Sequence, residues 1–139
     1  MRGAALAVMA LELAACSPAI ATEDAANEVA AAPAAEVVAV TPAELSALLD
    51  QGNIRLIDVR TYEEVAQGMI AGAEHIPLDR FDPATLDRSD GREVVLYCWS
   101  GRRSGIAAEK LAAETGEPVR HLEGGILAWE AADLPVAAR

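Results

Sequence analysis

From residue 36 onward the chain alternates between two patterns of apolar spacing. Short apolar runs rich in β-branched residues stand at Val37–Val40, Ile54–Arg60, Val94–Cys98 and Val119–Leu122. Runs of this length and composition read as strands. Between them apolar residues recur at helical spacing, beginning with Leu45, Leu48 and Leu49 behind Thr41-Pro42-Ala43-Glu44. That tetrapeptide places an N-cap Thr, a Pro at the first helical position and a Glu three residues after the cap, so it opens a helix. Asp50-Gln51-Gly52-Asn53 ends it.

A short helix is predicted over Tyr62–Gln67, before Gly68. Met69–Leu78 reads as a turn into a short strand stopped by Pro77, and residues 79–91, rich in Asp, Pro, Ser and Gly, as loop with one helical turn. A longer helix starts at Ser104 and ends at Thr115-Gly116, with Gly116 as its C-cap. Glu123–Trp129 turns into a last helix, and Leu134-Pro135-Val136 closes the chain. Strands alternating with helices predict a parallel sheet covered on both faces.

The first 35 residues follow neither pattern. Met1-Arg2 is a short positive start, and Gly3–Ala15 is small and apolar. It is shorter than the roughly 20 residues needed to span a bilayer. It fits the core of a signal peptide, which sets residues 1–15 apart from the fold. Residues 17–35 contain no Lys or Arg and almost nothing large to bury. Such a stretch does not offset its ordering entropy and reads as a flexible acidic tether. The folded domain is expected over residues 36–139.

Composition narrows the function. The formal net charge of −11 leaves no excess of cations to displace counterions from a nucleic acid. Aromatic residues are 4% of the chain, so aliphatic side chains must fill the core. His75 and His121 are far apart and lack the cysteine and acid neighbours of a metal site. Two cysteines are present, Cys16 and Cys98, in unlike surroundings.

Cys98 carries the chemistry. It ends an apolar strand, a short loop of small and basic residues follows, and a helix begins directly after. Strand, tight loop and helix N-terminus make an anion cradle, in which backbone N–H groups converge and the helix dipole adds positive charge. A thiol placed there is pushed towards thiolate, the form that attacks. The backbone N–H groups of residues 99–104 are the expected donors. Asp58 and Arg60 fall near the carboxyl end of their strand, the edge where open α/β sheets bind ligands. They are expected to support the site by pairing with each other or with loop groups.

Leu56-Ile57-Asp58-Val59-Arg60, Glu64-Val65 with Gly68, Gly72-Ala73, Ile76-Pro77-Leu78, Cys98-Trp99-Ser100-Gly101-Arg102-Arg103-Ser104, Leu122-Glu123-Gly124-Gly125 and Ala128-Trp129 occur in that order. Together they resemble the rhodanese family over about Glu36 to Val136. Met69 stands where many members carry His, a change that bears on local packing. The resemblance implies an α/β fold with a doubly wound, mostly parallel five-stranded sheet and helices on both faces. It implies a sulfurtransferase whose Cys98 alternates between thiol and persulfide, moving sulfane sulfur from a thiosulfate-like donor to cyanide or a thiol. No metal or organic cofactor is required. Trp99, Ser100, Gly101, Arg102, Arg103 and Ser104 would bind the donor, with Arg103 on its oxyanion and Arg102 turned more to solvent.

Relatives of this fold that dephosphorylate through Cys-x5-Arg need an arginine at the position of Ser104. A rhodanese-like persulfide carrier, redox sensor or binding module without turnover is the other alternative. Leu13-Ala14-Ala15-Cys16 resembles a bacterial lipobox, which implies that Cys16 is lipidated and becomes the mature N-terminus. With Ser17 next, that pattern implies anchoring in the bacterial cell envelope, on the periplasmic face of the outer membrane. The lipid would be the only membrane contact. Oligomeric state is left open.

Overall fold

The computed structural model describes residues 35–138. The signal peptide expected over residues 1–15, the lipidation site Cys16 and the tether as far as residue 34 lie outside the described residues, as does residue 139. The elements are β1 (Val37–Val40), α1 (Pro42–Gln51), β2 (Ile54–Asp58), α2 (Tyr62–Val65), β3 (Met69–Ile70), β4 (Glu74–His75), β5 (Glu93–Tyr97), α3 (Arg102–Thr115), β6 (Val119–Leu122), α4 (Gly125–Ala131) and β7 (Val136–Ala137). Five strands form one sheet in the order β1-β6-β5-β2-β4, with every neighbouring pair parallel.

Local chemistry accounts for the element ends. Thr41 caps α1, and Glu44 reaches back to the Thr41 N–H at 2.8 Å, completing the capping box that the sequence announces. Thr61 and Glu64 build a second box at α2. Gly52 and Gly116 end α1 and α3 in the left-handed conformation, both with φ of 71°.

Several details differ from the sequence expectation. β2 stops at Asp58 rather than Arg60, because the Arg60 N–H turns back to the Asp58 carboxylate at 3.0 Å and leaves the ladder. α3 starts at Arg102, two residues before Ser104, because Gly101 takes the cap with φ of 96°. Met69-Ile70 pairs antiparallel with Val136-Ala137 in a separate two-stranded ribbon. The loop over residues 79–91 is held by turns on Pro77, Leu78 and Asp82 and contains no α-helix.

Strand alternation splits the core between the two faces of the sheet. On one face Ile57, Val94, Leu96 and Cys98 pack under Ala107, Ala108, Leu111 and Ala112 of α3. On the other, Leu56, Val95, Tyr97 and Leu122 pack against Leu45 of α1 and Ile126 and Trp129 of α4. The small alanines of α3 let that helix lie close to the sheet, which brings its N-terminus down onto the end of β5. Among the described residues no helix is long and apolar enough to cross a membrane.

Candidate active site

Cys98 is the first residue beyond β5, at the carboxyl edge of the sheet, and it is 1% exposed. Three residues separate it from α3, whose fourteen residues point their N-terminus at the loop. The Gly101 N–H donates to Cys98 Sγ at 3.1 Å. Of the backbone donors expected over residues 99–104, this is the one aimed at the sulfur within bonding distance. The first turn of α3 holds no acid and instead carries Arg102 and Arg103. Cations at a helix N-terminus oppose the dipole, so this turn is not arranged for helix stability.

The loop is gripped from below. The Ile126 N–H donates to the Cys98 carbonyl at 2.8 Å and the Leu127 N–H to the Trp99 carbonyl at 3.2 Å. Gly125 sits so close that a Cβ there would lie 2.5 Å from the Cys98 oxygen, and its φ of 60° also favours glycine. Gly125 and the first turn of α4 therefore fasten the Cys98 loop.

Arg103 is half-buried and holds Glu64 through two bonds, Nη1 to Oε2 at 2.7 Å and Nη2 to Oε1 at 2.5 Å. The Arg103 guanidinium lowers the Glu64 pKa to about 2, with the Thr61 N–H of the capping box helping. Glu64 in turn holds Arg103 firmly in its charged form, and the Cys98 sulfur adds to this more weakly. The guanidinium expected to meet a donor oxyanion is thus already paired with Glu64. Glu64 was not among the site residues expected from sequence, since its partner Arg103 lies 39 residues away in the chain.

Ser104 departs from the expected role on the donor. It is fully buried, its hydroxyl donates to the Gly101 carbonyl at 3.0 Å, and its Oγ lies 3.1 Å from His121 Nδ1. With the hydroxyl proton committed to Gly101, the ring nitrogen is the donor. Burial lowers the His121 pKa, in keeping with a neutral ring. Ser104 therefore buttresses the loop from inside. Arg102 and Ser100 are exposed, and Trp99 is 37% exposed.

Asp58 and Arg60 form a buried pair, 0% and 1% exposed. Arg60 Nε and Nη2 both donate to the Asp58 carboxylate, the latter at 2.7 Å, and Nη2 also reaches the Gly68 carbonyl at 2.7 Å. The guanidinium lies 5.7 Å from the Tyr97 ring centroid, and the Tyr97 hydroxyl accepts from the Ile70 N–H at 3.1 Å. Burial pushes the Tyr97 phenol pKa well up, so it stays neutral. His75 Nε2 lies 2.8 Å from the Arg60 carbonyl. These groups tie β2, β3, β4 and β5 together beneath the loop without reaching the sulfur. Among the described residues no group of three or more His, Cys, Asp or Glu side chains gathers within reach of a metal ion.

Beside Arg103 a groove of about 590 Å³ opens between the end of β2, α2, the Pro77–Arg80 turn and α3. A second hollow of about 380 Å³ lies at the opposite edge of the sheet, by Glu93, Val94 and Val119, away from Cys98.

Comparison with known proteins places this geometry. Residues 41–132 match the family model described as a rhodanese-like domain. The chain is 38% identical over 91 residues to a sulfurtransferase of Allochromatium vinosum, covering 66% of this chain and 85% of that protein. It is 41% identical over 98 residues to an uncharacterized protein of Synechocystis, covering 70% of this chain and 55% of that longer protein. Among solved structures it is similar to a rhodanese-related protein from Thermoplasma volcanium, with a TM-score of 0.63, 28% identity, and coverage of 73% of this chain and 98% of the other. The family match runs from the cap of α1 to the end of α4 and takes in the whole Cys98 loop, so the chain belongs to the rhodanese-like domain family.

Proposed function

We propose that the protein is a sulfurtransferase that moves sulfane sulfur from a thiosulfate-like donor to cyanide or a thiol through a persulfide on Cys98. The observation that carries this is the Cys98 sulfur at the carboxyl edge of a parallel sheet, receiving the Gly101 N–H at 3.1 Å at the start of α3. The naming of the Allochromatium relative as a sulfurtransferase supports the same reaction class.

In the first step the Cys98 thiolate attacks the outer sulfur of thiosulfate. A new S–S bond forms, the old one breaks, and sulfite leaves with the bonding pair and two negative charges. In the second step cyanide or a thiolate attacks the terminal sulfur of the anionic persulfide. Thiocyanate or a new persulfide departs, and the Cys98 thiolate is restored. This is covalent catalysis by an activated nucleophile. The Gly101 N–H and the α3 dipole stabilise negative charge on sulfur in both steps. Neither step needs a metal or an organic cofactor.

The test is thiosulfate:cyanide activity of the full chain beside Cys98→Ser. Thiocyanate from the parent and none from the mutant is the expected result. A folded parent that makes none would sink the turnover reading. One observation favours a second reading, a persulfide carrier or redox sensor. Both Nη groups of Arg103 are taken by Glu64, which leaves the donor oxyanion to compete for them. Cyanide titration of a preformed persulfide separates storage from turnover.

The lipobox-like Leu13-Ala14-Ala15-Cys16 supports a further part of the proposal, a lipid anchor on Cys16 in the bacterial envelope with an acidic tether to the domain. In a bacterial host, Cys16→Ser is expected to move the protein from the membrane fraction to the soluble one. An unchanged distribution counts against the anchor.

A further inference from the structure

Gly101 is held at both ends of its backbone. Its N–H donates to Cys98 Sγ at 3.1 Å, and its carbonyl accepts from the Gly105 N–H and the Ser104 hydroxyl, each at 3.0 Å. Glycine is the residue with the freest backbone, so this restraint has to come from its neighbours. Ser104 is one of them, and its hydroxyl is a rotor that needs a restraint of its own. The serine is 0% exposed, which keeps water from serving as the second partner. That partner is His121, whose Nδ1 lies 3.1 Å from Ser104 Oγ.

His121 reaches this place from β6. It stands beside Leu96 in the β5–β6 register. Val119, two residues earlier, packs on the sheet face that carries α3, and strand alternation puts His121 on the same face. The ring lies against the helix backbone, because a Cβ at Gly105 would come within 3.6 Å of His121 Cε1. Burial favours the neutral ring, while Glu123 and Glu109 pull more weakly the other way. Three hydrogen bonds therefore run in series from β6 to the sulfur: His121 N–H to Ser104 Oγ, Ser104 O–H to the Gly101 carbonyl, and Gly101 N–H to Cys98 Sγ. Bonds linked in this way strengthen one another.

We infer that His121 is a positioning residue for the sulfur of Cys98: its Nδ1–H fixes the Ser104 hydroxyl, which holds the Gly101 carbonyl and so keeps the Gly101 N–H on the sulfur. The inference rests on the sulfur-transfer reading and adds to it a residue from outside the loop. A Gly101 N–H kept in place stabilises negative charge on the sulfur, in thiosulfate attack and in attack on any other electrophile. Two substitutions separate the hydrogen bond from the packing. Asparagine keeps a side-chain N–H as many bonds from the backbone as His Nδ1 and loses the ring. Phenylalanine keeps the ring and loses the donor.

The test uses the full chain with His121→Phe, His121→Asn and Ser104→Ala, each checked for folding by its thermal melt. Two rates are measured, thiocyanate formation from thiosulfate and alkylation of Cys98 by iodoacetamide followed by peptide mass. His121→Phe is expected to lower both roughly tenfold, the size of losing one buried hydrogen bond. His121→Asn should recover most of that loss. Added to Ser104→Ala, His121→Phe should cost little more, since the histidine acts through the serine. The inference falls if His121→Phe matches the parent, if His121→Asn is as slow as His121→Phe, or if the serine and histidine losses simply add. ¹⁵N NMR of the parent needs no variant: above its titration the His121 ring should carry its proton on Nδ1, and a proton on Nε2 alone overturns the inference. Alkylation that follows this pattern in a protein making no thiocyanate keeps the role of His121 and removes the reaction. Thiocyanate formation indifferent to His121→Phe removes the role alone.

Discussion

Asp58 carries its charge at 0% exposure and spends it wholly on Arg60. Removing one partner of such a pair leaves the other buried and uncompensated, which costs about 3–5 kcal/mol. Asp58→Asn is therefore expected to lower the urea midpoint sharply, as followed by tryptophan fluorescence. Glu93→Gln breaks a pair with Arg120 that is about 40% exposed on both sides, and solvent already screens it. Its midpoint should scarcely move, and equal effects from the two variants would refute this account of Arg60. Arg103 and Glu64 show a different use of charge. Their pair is half-buried at the mouth of the site, where it sets how much of the guanidinium an incoming anion meets.

Among the elements, α4 has the least expected role. Its first N–H groups lack partners within the helix, and they are used to hold the Cys98 and Trp99 carbonyls. This approach is open only to glycine at position 125, where a Cβ would meet three backbone atoms at 2.5 Å. Gly125→Ala should push the loop off α4 and cost at least about 2 kcal/mol from overpacking and a left-handed backbone. Displacing the sulfur by about 1 Å should lower kcat/KM for thiosulfate roughly 100-fold. A melt and a rate equal to the parent's would show that α4 does not position Cys98. β3 and β7 act at the same scale. Their two-residue ribbon clips the chain end onto the segment after α2, where Gly68 lies against Val136 and Ala137.

The molecule as a whole is strongly acidic, with 22 Asp and Glu against 11 Lys and Arg. The proposed thiosulfate donor, a dianion, would approach against that field even though the Cys98 loop is locally basic. Raising ionic strength from about 0.01 to 0.15 M shortens the screening length from roughly 30 to 8 Å. KM for thiosulfate is expected to fall severalfold over that range. A KM that rises instead would show that Arg102 and Arg103 govern the approach of the donor.

Much of the fold was legible in the chain because its signals are local. The apolar runs at Val37–Val40, Ile54–Arg60, Val94–Cys98 and Val119–Leu122, the Thr41 box and the glycine stops each depend on residues a few positions apart. Cys98 was legible for the same reason, since strand, loop and helix follow one another without a break. The β3–β7 ribbon was not, because two-residue strands carry no periodicity and their partners lie 66 residues or more apart in the chain. Nor was the Glu64–Arg103 pair, with 39 residues between its members, or the inward turn of Ser104 onto His121, 17 residues away. The sequence by itself determined the main strands and helices, their order and the place of Cys98 between strand and helix, through steric and capping preferences that act within a turn or a strand. Only the tertiary structure decided which carboxylate holds Arg103 and which helix clamps the loop, because those contacts exist only once the sheet has brought distant segments to one edge.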